Sequence, residues 1–201
     1  KTRFAMEGSK VTLPHMDLKT DGADTHVTGN LDFSKWPEQS YTLNSDIDFS
    51  RMKQIFFAKE NWNIKGNGHF TGVFNIYKDE RGRDLSGDFT SDLAQVNNLK
   101  FPNLHGSLVW LPHRFAVTHA DADFLGGQTR FAYAVEPLGT PQGSTQKFVA
   151  DFDRISLKEI KQFADLKGLE LAGLARGHIT MAWPSGHLSQ GISGSGELSA
   201  V

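Results

Sequence analysis

The amino-acid sequence predicts a mainly β protein: an elongated, curled antiparallel sheet forming an open groove with an apolar interior, plus two short helices. Three observations carry this. Apolar and polar residues alternate with a period of two along most of the chain, as in strands with one dry face and one wet face. Short turns such as Pro112-His113 and Gly126-Gly127 separate these runs, which favours antiparallel neighbours. About a dozen strands at about 4.8 Å spacing extend a sheet by about 55–60 Å, and an open twisted sheet beyond about 10 strands must curl, split or flatten.

The elements follow in chain order. Residues 1–47 read as a β-strand segment continuing from a preceding repeat, with Val27, Gly29, Leu31 and Phe33 on one face and His26, Thr28 and Asn30 on the other. Tyr41, Leu43, Ile47 and Phe49 repeat the pattern against Thr42, Asn44, Asp46 and Asp48. Residues 48–150 form a β-groove repeat unit that starts with a short helix near 51–58, for which Ser50 is the predicted N-cap. The longest alternation follows, from Trp62 and Ile64 through Gly66, Gly68, Phe70, Gly72 and Phe74 to Ile76. Beyond the charged turn Lys78 to Asp84 come Leu85, Gly87, Phe89 and Leu93, then Leu104, Gly106, Leu108 and Trp110. Phe115 and Val117, then Thr129, Phe131, Tyr133 and Val135, precede the loop Pro137 to Thr145 and the strand carrying Phe148, Ala150 and Phe152. Residues 151–201 begin the next unit, with a helix near 156–166 that starts at Ser156 and aligns Leu157, Ile160, Phe163 and Ala164 on one stripe. Its strands carry Ile179, Met181 and Trp183, then Ile192, Gly194, Gly196 and Leu198.

The two helices expose an internal repeat. Asp48-Phe49-Ser50-Arg51 corresponds to Asp151-Phe152-Asp153-Arg154, Gly68-His69-Phe70-Thr71 to Gly177-His178-Ile179-Thr180, and Ser86-Gly87-Asp88-Phe89 to Ser193-Gly194-Ser195-Gly196. Units of this kind stack along an axis, each covering its neighbour's edge. The start at Lys1, without a signal-peptide pattern, and the Gly-rich approach to Val201 read as cuts through a longer repetitive protein.

Composition removes several functions. A formal net charge of -2 without any basic cluster argues against nucleic acid. The absence of Cys removes disulfides, thiol catalysis and thiolate metal sites. No apolar run is long enough for a transmembrane helix within the segment. Against 3 Tyr and 4 Trp stand 15 Phe, the aromatic without a polar handle, which suits a surface dry throughout.

The search for chemistry returns little. Neither His69 and His178, at equivalent repeat positions, nor the other histidines fall in a metal-ligand cluster, and all read as solvated outer-face residues. The pairs Asp46/Asp48, Asp121/Asp123 and Asp151/Asp153 each share a strand face and read as solvated rather than as calcium or glycosidase sites. No nucleophile elbow appears, and Gly66-Asn67-Gly68-His69-Phe70-Thr71-Gly72 opens no helix, as a phosphate loop must. No catalytic residue, metal or cofactor is expected. What remains is the apolar face, lined on strand parity by Phe70, Phe74, Ile76, Phe89, Leu108, Trp110, Phe115, Val117, Phe131, Tyr133, Val135, Ile179, Met181 and Trp183.

The stretch Leu104-His105-Gly106-Ser107-Leu108-Val109-Trp110, then Phe115-Ala116-Val117, then Ala120 to Phe131 with its Gly126-Gly127 turn, resembles the AsmA-like and TamB-like proteins of diderm bacteria. The Asp-Phe-x-Arg plus helix units resemble their repeats as well. The resemblance implies a non-enzymatic segment of a periplasmic lipid-transfer bridge, held by an inner-membrane anchor outside this segment. Its partners would be phospholipid acyl chains and, for TamB-like members, an outer-membrane barrel protein. Burying a chain of roughly 16 carbons at about 0.8 kcal/mol per CH₂ amounts to about 12 kcal/mol, with no specific hydrogen bond required. Two other readings stand beside it: a chaperone segment whose edges template strands of outer-membrane proteins, and a jelly-roll-like binding domain.

Overall fold

In the computed structural model, residues 2–140, 143–163, 172–188 and 191–201 are described. Among them the alternating runs pair into a single antiparallel sheet of thirteen strands. The strands are β1 (Thr2–Glu7), β2 (Lys10–Lys19), β3 (Ala23–Asp32), β4 (Gln39–Asp48), β5 (Ile64–Lys65), β6 (Asn67–Ile76) and β7 (Arg83–Val96). They continue as β8 (Leu99–Leu111), β9 (Arg114–Phe124), β10 (Gly127–Glu136), β11 (Thr145–Ser156), β12 (Leu174–Pro184) and β13 (Ser193–Ala200). Spatial order follows chain order except that β5 pairs with β7, and β1 and β13 are the two edges of a sheet that does not close. A single sheet has no place in a jelly roll, which needs two.

Two helices interrupt the ladder at corresponding points: α1 (Phe49–Phe56) after β4 and α2 (Leu157–Phe163) after β11. The cap of α1 is Asp48, whose side chain accepts from the Arg51 N–H at 3.0 Å, so the helix begins two residues before the sequence places it, and Phe49 is helical rather than the last inward strand residue. The reason is chemical: an ionised carboxylate is the stronger acceptor for orphan N–H groups. For α2 the predicted cap holds, because Ser156 Oγ accepts from the Glu159 N–H at 3.3 Å. Ala164 and the predicted helix end at Leu166 lie outside the described residues.

Other local differences have identifiable causes. Phe33 belongs to a single 3₁₀ turn, Phe33–Lys35, capped by Asp32, and not to β3. The long run from Trp62 to Ile76 is cut at Gly66, whose φ of +117° turns the chain, so β5 pairs with β7 and Trp62 lies outside both strands. Leu93 is 44% exposed and Ala94 is buried in its stead, because the alternation breaks opposite Asn103 (φ +52°) while the β7–β8 register stays the same on either side. The strands before Val27, β1 and β2, pair despite Pro14, which sits where the β2–β3 register shifts between Leu13 and Met16.

One acid–histidine pairing recurs in two ladders, offset by two residues from the sequence match. Asp46 faces His69 across β4–β6, and Asp151 faces His178 across β11–β12. Asp46-Ile47-Asp48 therefore superposes on Asp151-Phe152-Asp153, and the extra Arg154-Ile155-Ser156 is taken up in a register shift with Arg154 at φ +55°. A slip of two residues keeps every side chain on its face.

The sheet curls. The Gly186 N–H, just past β12, donates to Glu60 Oε2 at 3.0 Å. On a flat sheet, the seven strand spacings from β4 to β12 amount to about 34 Å. The eight residues of α1 and the four that follow reach only about 26 Å. The contact exists because the chord is shorter than the arc. The accessible surface, 12475 Å², also exceeds the roughly 9,400 Å² of a compact monomer of this mass.

The concave face and the candidate functional site

Register places every predicted lining residue on one face. The middle row crosses the sheet as Val27, Leu43, Gly72, Gly87, Leu108, Val117, Tyr133, Phe148, Met181 and Gly194. On one side of it run Tyr41, Phe74, Leu85, Trp110, Phe115, Val135, Gln146 and Trp183. On the other run Ser45, Phe70, Phe89, Gly106, Ala120, Phe131, Ala150 and Ile179. None of these positions is charged. Ile76, the remaining predicted residue, pairs with Gln39 at the next inward step.

Two glycines in these rows, Gly72 and Gly87, stand beside an aromatic ring. A Cβ on Gly72 would stand 2.4 Å from Phe70 Cζ, and one on Gly87 would stand 2.9 Å from the same atom. The Phe70 ring lies flat across two strands because those positions have no side chain, and it is buried there. Close approach of the ring, and of the neighbouring backbone at the Ser86 and Thr71 carbonyls, accounts for these two residues.

A second layer covers part of the face. Phe49 packs over Ala94, Leu104, Ala120 and Ala122 together with Phe89, Phe101, Val117 and Phe131. Phe56 meets Trp110 edge-on at 4.7 Å between ring centroids, and Phe57 meets Phe115 at 5.3 Å. Lys53 Nζ donates to the Glu60 carbonyl at 2.7 Å, so α1 and the segment to Glu60 form a diagonal strut across the curl. Leu157 and Ile160 of α2 pack over Phe124, Ile155 and Ala175. Of the predicted lining, Phe70, Val135 and Trp183 are buried, and the others are partly exposed.

Polar groups on this side gather under the strut. The Tyr133 hydroxyl donates to Gln146 Oε1 at 2.5 Å, and Gln146 Nε2 donates to Ser185 Oγ at 3.3 Å. Burial first, and the Glu60 carboxylate second, push the Tyr133 phenol far up from its ordinary value, so it stays a donor. Trp183 Nε1, buried beside Gln146, has no hydrogen-bond partner among the described residues. At the edges the face is open: Met6 on β1 is 63% exposed and Leu198 on β13 is 51% exposed.

The convex face carries paired acids and histidines that parity alone leaves as solvated residues. His69 Nδ1 lies 2.9 Å from Asp46 Oδ1, and its Nε2 lies 3.4 Å from Thr71 Oγ1. The same arrangement recurs at Asp151, His178 and Thr180, at 2.7 and 3.1 Å. Asp121 meets Arg130 and His119, Asp123 accepts from Asn103, and Asp153 accepts from Arg176. Acid, imidazole and hydroxyl in line evoke a hydrolytic relay. These relays lie in mid-strand, where the ladder engages the backbone N–H groups that an oxyanion hole would need. The signal available in the sequence was His-x-Thr and His-x-Asp spacing, which puts both side chains on one face of a strand.

Contrary to the expectation that no histidine belongs to a ligand cluster, His15, Asp17 and His26 bring three ligand atoms within 4.8 Å of one another. Two clefts of about 630 and 600 Å³ open at the strand ends. One is lined by Asp21, Asp24, Asp46, Asp48, Arg51 and His69, the other by Lys10, Asp32, Lys35, Glu38 and Arg81 together with Val11, Leu31 and Ile76, so both mix charged and apolar surface. Among the described residues no helix is long and apolar enough to cross a membrane.

Fold and face together define a class: an open, curled antiparallel β-groove with an uncharged lining. No protein-family model, no curated protein and no solved structure matches the chain.

Proposed function

We propose that the chain is a non-enzymatic segment of a periplasmic bridge conducting phospholipid between inner and outer membranes along its concave face. One observation carries the reading: three adjacent cross-strand rows, running from β4 to β12, without a charged residue. A hydrocarbon tail needs only continuous apolar contact, and the open sheet leaves a headgroup in water along the mouth. The strut sets the route. Guest chains contact the face beside α1, around Phe74, Ile76, Leu108 and Met181, rather than the buried Phe70, Val135 and Trp183. The anchor and any barrel partner belong to other parts of such a bridge.

The exposed edges favour a second reading. β1 and β13 each have one side without a neighbouring strand, with Met6 and Leu198 turned inward and uncovered, which is the geometry for templating a client strand. Mass spectrometry of organic extracts from the purified chain separates the two. Co-purifying phospholipid supports conduction; its absence, with client crosslinks confined to β1 and β13, supports templating.

A further inference from the structure

We propose that His15, Asp17 and His26 form a binding site for a divalent transition ion of the zinc type, on the convex face near the β1 edge. The site is built by the β2–β3 ladder. His15 and Asp17 are two apart on β2 and share a face, and Asp17 stands directly opposite His26 on β3. The register shift between Leu13 and Met16 re-aims His15 toward this pair.

The ligand atoms already converge. His15 Nε2 lies 2.8 Å from Asp17 Oδ2, and His26 Nδ1 lies 3.1 Å from Asp17 Oδ1. The two imidazole rings approach to 4.4 Å between centroids. Around a tetrahedral ion with bonds of about 2.0–2.1 Å, ligand atoms stand about 3.3–3.4 Å apart; the two imidazole–carboxylate contacts are within a few tenths of an ångström of that spacing, and all three ligand atoms already lie within 4.8 Å of one another. The carboxylate that now bridges both rings would turn one oxygen onto the ion.

Two imidazoles and one carboxylate select a borderline ion over calcium or magnesium, which take oxygen ligands. Half-exposed ligands leave the remaining position to water. Among the described residues the charges nearby are modest: Arg3 of β1 stands opposite His15, Lys19 is paired with Asp24 at 3.1 Å, and neutral Asn44 faces His26 from β4. No other histidine–acid pair here gathers a third ligand among the described residues.

The site lies on the other side of the sheet from the apolar rows, so it stands or falls apart from the lipid reading. The test is calorimetric titration of the chelator-stripped chain with Zn²⁺ alone. Saturable binding of one ion per chain is expected, weakened at least about tenfold by His26→Gln or Asp17→Asn and unchanged by His178→Gln. Ring resonances of His15 and His26 should shift during the titration. An absence of saturable binding, or binding that Asp17→Asn and His26→Gln leave intact, overturns the proposal.

Discussion

Glu60 accepts a hydrogen bond from the Gly186 N–H across 126 positions of sequence, and this contact fastens the strut to the far side of the curl. Glu60 is buried at 8% exposure, so the bond is shielded from water. Glu60→Ala leaves the Gly186 N–H unpaired and should cost about 1.5–3 kcal/mol, the range for a bond to a charged group. Denaturant melts measure the cost. Acrylamide quenching of Trp62 and Trp110 should rise as the strut loosens; unchanged quenching would show that the aromatic contacts hold it alone.

Phe74 and Phe131 differ as probes of the groove. Phe131 is part of the cluster under Phe49, so an acid there buries a charge in the fold itself. Phe74 is only partly buried, opposite Tyr41 and Leu85. Phe74→Asp should leave a folded chain by circular dichroism and remove co-purifying phospholipid. Lipid recovered at the parent level from that variant counts against conduction.

Asp32 reports on the turn that joins the start of β2 to the end of β3. Ser34 Oγ donates to it at 2.7 Å, Ser9 Oγ at 2.8 Å and the Ser34 N–H at 3.0 Å. These bonds, the Ser34 hydroxyl first, lower its pKa to about 2. A depressed folded value means a contribution present above the unfolded value of about 3.9 and lost as pH falls toward 2. Carboxyl-detected NMR should place the midpoint near 2, and Ser34→Ala should move it upward. A midpoint at the ordinary carboxylate value would mean that the turn does not persist in solution.

Two glycines should respond unequally to alanine. At Gly72 a Cβ would stand 2.4 Å from both Phe70 Cζ and the Ser86 carbonyl, so Gly72→Ala should cost about 1–3 kcal/mol by overpacking. At Gly196, on the exposed edge strand, the nearest atom is the His178 carbonyl at 3.1 Å, followed by Ile179 Cγ1 at 3.5 Å. Gly196→Ala should stay within about 0.5 kcal/mol of the parent, as surface substitutions usually do. Equal costs in thermal melts would sink the ring-seat account of Gly72.

What the sequence made legible follows from its period. Alternation assigns faces, and residues as distant as Ile76 and Trp183 land on the predicted side because a shift of two never changes a side. Events that break the period stay hidden. The left-handed turn at Asn103 exposes Leu93, and the shift beside Pro14 gathers His15, Asp17 and His26, yet nothing in the local pattern announces either. Helix starts were visible to within two residues, since Ser50 and Asp48 are both credible caps and only hydrogen bonding chooses between them. The strut was illegible for another reason: Glu60 and Gly186 meet only once the curl exists.

The unpaired margins at β1 and β13 have a consequence for scale. A barrel fixes its own circumference when its last strand meets its first; this sheet has no such stopping rule. Another strand could dock on either side at about 4.8 Å per addition without disturbing anything already in place. Reach in such an architecture is a matter of how many rungs are supplied, as with a ladder, and curvature sets only its width.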